Sequence, residues 1–196
     1  MLSELRQQWE KCTRCGLCGG RARVVPGRGN ERAAIMLVGQ NPGADENQKG
    51  LPFVGPAGKV LAEALKQAGV VPESVYITNV VHCLTPDNRK PGQFELDACR
   101  AYVDAEIAVV NPRVLVLLGS VASGLVGQAD QKMGLIRGKF WDYCGKPCMV
   151  TYHPAAVLRN RDLMGALILD IKAVAEKVAA DPVTAAMAVF PGSEIL

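Results

Sequence analysis

The chain has 196 residues, of which 49% are hydrophobic and 21% charged, and its formal net charge is +3. This length suits one domain with a real core, and so small a net charge does not indicate a nucleic-acid binder unless a basic surface is local. The longest apolar run, 114–118, is far too short to span a bilayer, and the N-terminus lacks the apolar region of a signal peptide. We therefore expect a cytoplasmic protein that does not bind membranes.

Apolar periodicity predicts helices that alternate with strands along the chain. Residues 2–11 have the pattern of a short helix, 33–38 that of a buried strand, and 39–58 form a loop rich in glycine and proline. The later predicted elements are a helix at 57–70, a strand at 74–81, a helix at 94–110, a strand at 113–119, a helix beginning at 120–127, a hairpin at 139–154 that turns at Gly145–Lys146, and a helix at 161–180. We predict one domain over 1–180 and a tail without clear periodicity over 181–196.

Strands that alternate with helices predict a parallel sheet covered by helices on both faces. In such folds ligands bind at the carboxyl ends of the strands. Three segments of unusual composition follow predicted strands or end them, namely 39–43, 78–83 and 153–159. We expect these segments, which are far apart in sequence, to converge on one site.

Cysteine is unusually frequent in this chain. The seven cysteines are Cys12, Cys15, Cys18, Cys83, Cys99, Cys144 and Cys148. An odd number without an export signal argues against a disulfide framework and favours a metal site or redox chemistry. The last two flank the predicted hairpin turn, and we interpret them as structural or incidental.

Four of these cysteines come from two distant segments. Cys12 and Cys15 form a CxxC pair, while Cys83 and Cys99 bracket a proline-containing loop and the first turns of a helix. Such a set fits either a tetrahedral zinc site or a four-iron cluster. Two alternatives stay open on spacing alone: Cys99 is also a plausible buried hydrophobe, and Cys15 forms a second CxxC with Cys18.

A set of motifs resembles one family in both content and order. The segments CTRCGLCGGR, GQNPG followed by GLPFVGPAG, YITNVVHC, NRKP, ACRAYV, LGSVA and HPAAVLR occur in the order found in the iron–sulfur (family 4) uracil-DNA glycosylases. The resemblance covers about residues 8–178. It implies an α/β fold, a three-layer α/β/α sandwich around a four-stranded parallel sheet. It also implies a [4Fe-4S] cluster in the N-terminal segment, held by Cys12, Cys15, Cys83 and Cys99, with Cys18 as a bystander.

The resemblance also assigns residues to a flipped base, since an enzyme that acts on a base must extrude it from the helix. Phe53 matches the residue that stacks on uracil, and Asn79 matches the residue that pairs with the uracil edge. His153 matches the histidine that faces uracil O2, where a donor stabilises the charge of the departing base. Without the resemblance, Phe53 would be interpreted as a hydrophobic anchor of its loop and Asn79 as a turn or cap residue. His153 would be interpreted as a structural histidine whose hydrogen bonds are made within the fold.

Four further residues complete the predicted contacts with the substrate. The backbone N–H groups of Gly39 and Gln40 are expected to face the base. Leu158 and Arg159 resemble the segment that enters or grips DNA at the flipped site.

The first motif departs from the family pattern, which usually has a carboxylate at its second position. Here Gln40 and Asn41 occupy the second and third positions, and Asn41 is similar to the asparagine of the mismatch-specific and single-strand-selective branches. An amide cannot act as a general base at neutral pH, but it can position water. We therefore predict Asn41 and His153 as the catalytic residues, with lower or differently selective activity, and with Asp45 or Glu46 as a nearby charge.

These features favour a monomeric DNA-repair enzyme that hydrolyses the N-glycosidic bond of uracil in DNA and leaves an abasic site. The partner is single- or double-stranded DNA that contains uracil or another deaminated base. Two alternatives stay open: a glycosylase that prefers hypoxanthine or xanthine, because of Asn41, and a non-catalytic protein that binds uracil-DNA, because of Gln40. An inserted loop of the kind that traps uracil-DNA covalently is missing from the sequence after NRKP.

Overall fold

Apolar runs form the centre of one twisted sheet in the computed structural model, which describes residues 2–180. The predicted tail, 181–196, lies outside the described residues. The strands are β1 (Arg28–Gly29), β2 (Ile35–Gly39), β3 (Tyr76–Asn79), β4 (Val114–Leu118), β5 (Phe140–Tyr143) and β6 (Lys146–Thr151). Their order across the sheet is β1-β3-β2-β4-β6-β5. The prediction of a four-stranded sheet is therefore wrong in number, because six strands pair within the described part of the chain.

The four central strands, β3, β2, β4 and β6, are mutually parallel, as predicted, and the two additional strands pair antiparallel at the edges. Strand β1 has only two residues and no apolar pattern, so nothing in its sequence indicates a strand. Strand β5 is the first arm of the predicted hairpin. Its turn lies at Cys144–Gly145, one residue before the predicted position, and both residues have the positive φ that a tight hairpin turn requires.

Helices cover both faces of the sheet. They are α1 (Leu2–Glu10), α2 (Ala44–Lys49), α3 (Pro56–Gln67), α4 (Gln93–Val110), α5 (Gly119–Ala122), α6 (Met133–Ile136), α7 (Pro154–Arg159) and α8 (Leu163–Ala179). The short helix α2 interrupts the glycine–proline loop and was not predicted. Helix α5 continues as a 3-10 turn at Ser123–Val126, where the sequence predicted the opening of a helix. None of the helices in residues 2–180 combines the length and hydrophobicity needed to cross a membrane.

Alternate side chains of the central strands enter two separate cores. On one face, Leu37 and Val116 pack with helices α3, α7 and α8. On the other face, Met36 and Leu115 pack with helices α1, α4, α5 and α6. Burial on both faces explains why these strands read as continuous apolar runs.

A third apolar cluster joins the N-terminal segment to the end of β3 and to helix α4. Its fully buried members are Trp9, Leu17, Val24, Val81, Cys83, Cys99 and Tyr102, and Cys12 and Cys15 pack against them. The backbone of this segment runs beside the continuation of β3, where Val25 N–H donates to His82 O at 2.8 Å.

The register places the carboxyl ends of the strands side by side. Gly39 pairs with Asn79 across β2 and β3, and Leu118 pairs with Thr151 across β4 and β6. The residues that follow these strands therefore meet at one edge of the sheet, as the sequence predicted.

Candidate functional site

A pocket of about 340 Å³ opens at this carboxyl edge, between the first turns of α3 and α7 and the loop that follows β2. Five residues predicted from sequence line it, namely Asn41, Phe53, Asn79, His153 and Leu158. We refer to this cavity as the base pocket. Segments separated by more than a hundred residues thus meet in one cavity of the size that binds small ligands.

Gly39, the last residue of β2, packs against two residues that line the base pocket. A Cβ at this position would collide with Asn79 Oδ1 and would lie 2.7 Å from Phe53 Cζ. A side chain here would therefore displace both residues. The glycine permits β2 to approach Asn79 and Phe53 closely, although the predicted contact of its N–H with the base stays a prediction.

Phe53 is held in a backbone conformation that bulky residues rarely adopt. Its φ is +53°, and its side chain is 9% exposed. Arg28 donates to the carbonyl oxygens of Pro52 and Phe53, at 3.0 and 3.3 Å, and Gly58 of helix α3 leaves room for the Phe53 carbonyl. The ring lies 5.8 Å from the His153 ring, between centroids. These contacts fix the aromatic face in the pocket.

Asn79 presents a buried acceptor without a partner. Its Oδ1 is inaccessible and makes no hydrogen bond with any part of the chain that the structure describes. An unpaired buried amide oxygen costs about 1–3 kcal/mol, so structures rarely keep one without a reason. Because Asn79 also lines the base pocket, a ligand with an N–H donor would satisfy it.

The tautomer of His153 follows from its backbone contact. Ala155 N–H donates to Nδ1 at 3.1 Å, which leaves the proton of the neutral ring on Nε2. Burial, and then the positive charge of Arg159, lower the pKa of His153 to about 4. At neutral pH the ring is therefore uncharged and offers one N–H donor.

Asn41 is fixed by three hydrogen bonds. Its Oδ1 accepts from Gln40 Nε2 at 2.8 Å, and its Nδ2 donates to Pro42 O and to Asn88 Oδ1, both at 2.9 Å. Gln40 thus lies beside Asn41 and supports it, rather than lining the pocket. Sequence reasoning missed Asn88, which lines the pocket and has a φ of +53°. The only signal was its position within the quoted NRKP motif.

Glu46 lines the base pocket together with Asp45, and it also holds the glycine–proline loop. Its carboxylate accepts the backbone N–H groups of Gly43, Val54 and Gly55, at 3.1, 2.9 and 2.8 Å. These bonds close the glycine–proline loop around helix α2. Asp45 lines the base pocket and is the exposed carboxylate of the pair.

The predicted DNA-contacting residues lie at the end of α7. Leu158 lines the rim of the base pocket and is 47% exposed, which is unusual for a leucine beside a site. Arg159 is exposed at the last residue of the helix and close enough to His153 to lower its pKa. The structure therefore places an apolar side chain and a cation beside the opening.

The four predicted cysteine ligands meet in the third apolar cluster. Burial raises the pKa of Cys99 to about 12, and burial also raises the pKa of Cys83, which Arg21 partly offsets through its charge and a 3.7 Å contact to the sulfur. Both pKa values are raised further by Cys12 and Cys15, so the four sulfurs are near neighbours. Buried thiols of this kind stay protonated unless a metal binds them.

The donor set is compatible with both metal sites that the sequence left open. Within residues 2–180, no three His, Cys, Asp or Glu side chains are arranged to hold a single ion. A tetrahedral zinc ion needs four ligands about 2.3 Å from one point. An iron–sulfur cluster instead takes one cysteine for each iron, so its ligands are spread around a larger group. The four clustered cysteines can supply the ligands of either group.

Comparisons with known proteins agree with this geometry. The family described as the uracil DNA glycosylase superfamily matches residues 26–175. A type-4 uracil-DNA glycosylase of Pyrobaculum aerophilum is 39% identical over 180 residues, which are 87% of this chain and 91% of that protein. One of Thermotoga maritima is 40% identical over 82% of this chain and 85% of its own length.

A type-5 uracil-DNA glycosylase of Thermus thermophilus is also 40% identical, but only over 52% of each chain. The type-4 relatives are therefore matched over more of their length than the type-5 relative. The family match covers the whole sheet and the base pocket, and it agrees with the resemblance seen in the motifs. The chain belongs to the uracil DNA glycosylase superfamily.

Proposed function

We propose that this chain is a monofunctional uracil-DNA glycosylase, which hydrolyses the N-glycosidic bond of deoxyuridine in DNA and leaves an abasic site. The observation that carries the proposal is the unpartnered Asn79 Oδ1 in a pocket shared with Phe53, His153 and Asn41. The edge of uracil presents an N3–H donor beside the O4 acceptor. The carboxamide of Asn79 offers an acceptor and a donor to match them. Cytosine presents an acceptor and an amino group instead, so both contacts would be unfavourable.

His153 would stabilise the leaving group. When the N-glycosidic bond breaks, its electron pair stays on the base, and negative charge develops on uracil O2. The Nε2–H of the neutral His153 is free to donate to that oxygen, because Nδ1 already accepts from Ala155. Phe53 would hold the base plane by stacking, in the orientation that its contacts impose.

Asn41 would orient the attacking water. Both of its Nδ2 hydrogens are used by Pro42 and Asn88, and one lone pair of Oδ1 is used by Gln40, which leaves one lone pair free to accept from water. Asn88 lines the same pocket, and its amide N–H groups would be donors for the water oxygen. Neither amide removes a proton, so departure of the base has to lead, and water captures an oxocarbenium-like sugar.

Hypoxanthine and xanthine offer the same donor–acceptor order as uracil on one edge, so Asn79 alone does not exclude them. An oligonucleotide panel that carries one uracil, hypoxanthine or xanthine, in single strands and duplexes, tests both candidates. The expected result is release of free uracil and alkali-labile sites. Retention of uracil-DNA without release of base would favour the non-catalytic alternative and overturn the proposal.

The four cysteines Cys12, Cys15, Cys83 and Cys99 are proposed to hold a [4Fe-4S] cluster. A cluster there would act as a cross-link between the N-terminal segment, the loop after β3 and helix α4. Cys99→Ala should lose iron, visible absorbance and thermal stability, whereas Cys18→Ala serves as the matched control and should keep all three. Equal iron content in the two variants would remove Cys99 from the ligand set.

The setting that we propose is the cytoplasm, where reduced thiols persist and can hold such a cluster. We propose a single domain over 1–180 that acts as a monomer on single- or double-stranded DNA. Leu158 and Arg159, at the rim of the base pocket, are proposed to contact that DNA.

A further inference from the structure

A second cavity, of about 510 Å³, adjoins the same loop as the base pocket. Gly50 and Leu51 line this cavity, while Phe53, two residues later, lines the base pocket. Its cations are Arg6, Arg21, Arg23, Arg28 and Lys49, and Glu10 is the acidic residue in its lining. We call this cavity the basic cleft.

Positive charge is concentrated in the N-terminal segment, which supplies four of the five cations of the basic cleft. The first 32 residues contain seven Lys and Arg but three Glu, so their net charge exceeds the +3 of the whole chain. Clefts lined by one sign of charge focus the electrostatic potential and attract ligands of the opposite sign. The modest overall charge therefore hides a local basic surface.

Most of these cations have no neutralising carboxylate. Arg6 pairs with Glu31 at 3.3 Å, but no ion pair within residues 2–180 involves Arg21, Arg23, Arg28 or Lys49. Arg23, Arg28 and Lys49 therefore repel one another around one concavity, and a bound anion would offset this repulsion.

Two of the guanidinium groups are held in place by neutral oxygens. Arg21 Nη2 donates to Glu10 O and Cys12 O, at 3.2 and 2.7 Å. Arg28 donates to Pro52 O and Phe53 O, as described above. Hydrogen bonds to carbonyl oxygens orient these groups but leave the charge of Arg28 uncompensated, whereas Arg21 also contacts Cys83 Sγ at 3.7 Å. The remaining cations, Arg23 and Lys49, have exposed side chains without a hydrogen bond in the described chain.

We propose that the basic cleft binds the phosphate backbone of the substrate DNA beside the flipped nucleotide, with Arg23 and Lys49 as the direct phosphate contacts. This inference rests on the proposed function for its choice of ligand. A DNA strand whose flipped base enters the base pocket continues along the protein surface on either side of it. The basic cleft is close by, because Gly50 and Leu51 line the cleft and Phe53, two residues later, lines the base pocket. Phosphodiesters carry one negative charge per nucleotide, and they match the unpaired cations of the cleft.

The test is the salt dependence of DNA binding by the full chain. Each phosphate contact contributes about 0.9 to the slope of log K against log salt for duplex and about 0.7 for single strands. Arg23→Ala/Lys49→Ala should therefore lower the slope by about 1.8 on duplex and about 1.4 on single strands, and should weaken binding equally across sequences. Binding is measured on undamaged 30-mers, so no base release is required.

The matched control is Lys66→Ala/Lys172→Ala, which removes the same charge from exposed residues of α3 and α8. Its slope should stay within about 0.5 of the wild-type value, and an equal loss in both double variants would show a bulk charge effect and overturn the proposal. An unchanged salt slope for Arg23→Ala/Lys49→Ala would also overturn the proposal. The same holds if this variant binds DNA as the wild type does but binds an acidic protein segment more weakly.

Excision assays separate this inference from the proposed function. On a uracil-containing 30-mer at about 1 M salt, where phosphate contacts are screened, the cleft variant should keep the wild-type kcat/KM, while at about 0.05 M salt its kcat/KM should fall. A cleft-dependent slope without release of any base would support the cleft and contradict the glycosylase. Release of uracil with an unaltered slope would contradict the cleft alone.

Discussion

Consecutive residues of strand β3 point into two buried polar regions that differ in one respect. Thr78 faces the helix α4 side, where its hydroxyl donates to Glu106 Oε2 and contacts His82 Nε2 at 3.2 Å. Glu106 also accepts from Gly27 N–H at 2.6 Å and from Tyr76 Oη at 3.1 Å. Asn79 faces the opposite side, where its amide oxygen has no partner. The first region, which we call the closed region, pairs the side-chain oxygens of Tyr76, Thr78 and Glu106, although His82 Nδ1 has no partner there. The second, which we call the open region, leaves the acceptor of Asn79 unpaired at the base pocket.

This difference indicates that the hydrogen bonds of Glu106 stabilise the fold, whereas the amide oxygen of Asn79 is available to bind a ligand. Glu106 is completely buried. Burial alone would raise the pKa of Glu106, but His82, Thr78 and Gly27 together lower it, so the carboxylate is charged in the folded protein. The closed region joins the N-terminal segment, β3 and α4, and none of its residues lines the base pocket. Substitutions in the closed region should therefore change stability, whereas substitutions in the open region should change rate.

Glu106→Ala should have the largest effect. It removes the acceptor for three donors in a buried network, and breaking such a network costs about 3–5 kcal/mol. Urea unfolding at pH 7 measures the loss, and Glu106→Gln, which keeps an acceptor oxygen, should lose less. If Glu106→Ala unfolded like the wild type, the closed region would not be the stabilising one.

His153→Ala should show the reverse pattern. Loss of one preorganised donor to a developing oxyanion costs about 10²–10³-fold in rate, or about 2.7–4 kcal/mol. Single-turnover release of uracil measures the rate, and the urea midpoint at pH 7 should stay close to that of the wild type. A rate within threefold of the wild type would remove His153 from the mechanism.

Sequence predicts the elements whose signal is local. Strands β2 and β4 were found because burial on both faces produces unbroken apolar runs. Asn79 and His153 were found because their motifs resemble those of the family, at segments that end or follow predicted strands. Strand β1 exists only because Arg28 and Gly29 pair with Ile77 and Tyr76, a partnership that no local pattern encodes.

Helix α2 and Asn88 were missed for a related reason. The α2 sequence ADENQK is polar, and its helix depends on the Glu46 carboxylate, which binds N–H groups before and after it. Asn88 reaches the base pocket through a contact with Asn41 that spans 47 residues. Such contacts join residues that are far apart in the chain, so they cannot be predicted from the spacing of residues in the sequence.

Asn41→Asp should change the rate of uracil release by less than His153→Ala does. It tests whether the residue at position 41 limits the rate by removing a proton or by orienting water. A carboxylate can take a proton from water, which typically contributes 10²–10⁴-fold, but the aspartate loses the two bonds that Asn41 Nδ2 donates. We expect a net gain in uracil release of about tenfold, and a loss for Asn41→Ala. An aspartate variant as slow as the alanine variant would show that orientation of water, not proton removal, limits the rate.

The smallest effect is expected from pH. His153 has an ordinary pKa of about 6.5 when unfolded and about 4 in the folded protein, so it stays neutral across the physiological range. Excision by the wild type should therefore be level from pH 8 to pH 5, with no inflection near 6.5.

The stability of the folded protein depends on pH in a different way. As the pH falls, His153 takes up a proton in the unfolded chain at a higher pH than in the folded protein. His153 should leave stability unaffected above pH 6.5 and reduce it as pH falls from 6.5 towards 4. Urea unfolding of His153→Gln at pH 7 and pH 5 measures this difference, since the variant should lose less stability than the wild type. An equal loss in both proteins, or an acid limb in the rate near pH 6.5, would mean that the pocket does not keep His153 neutral.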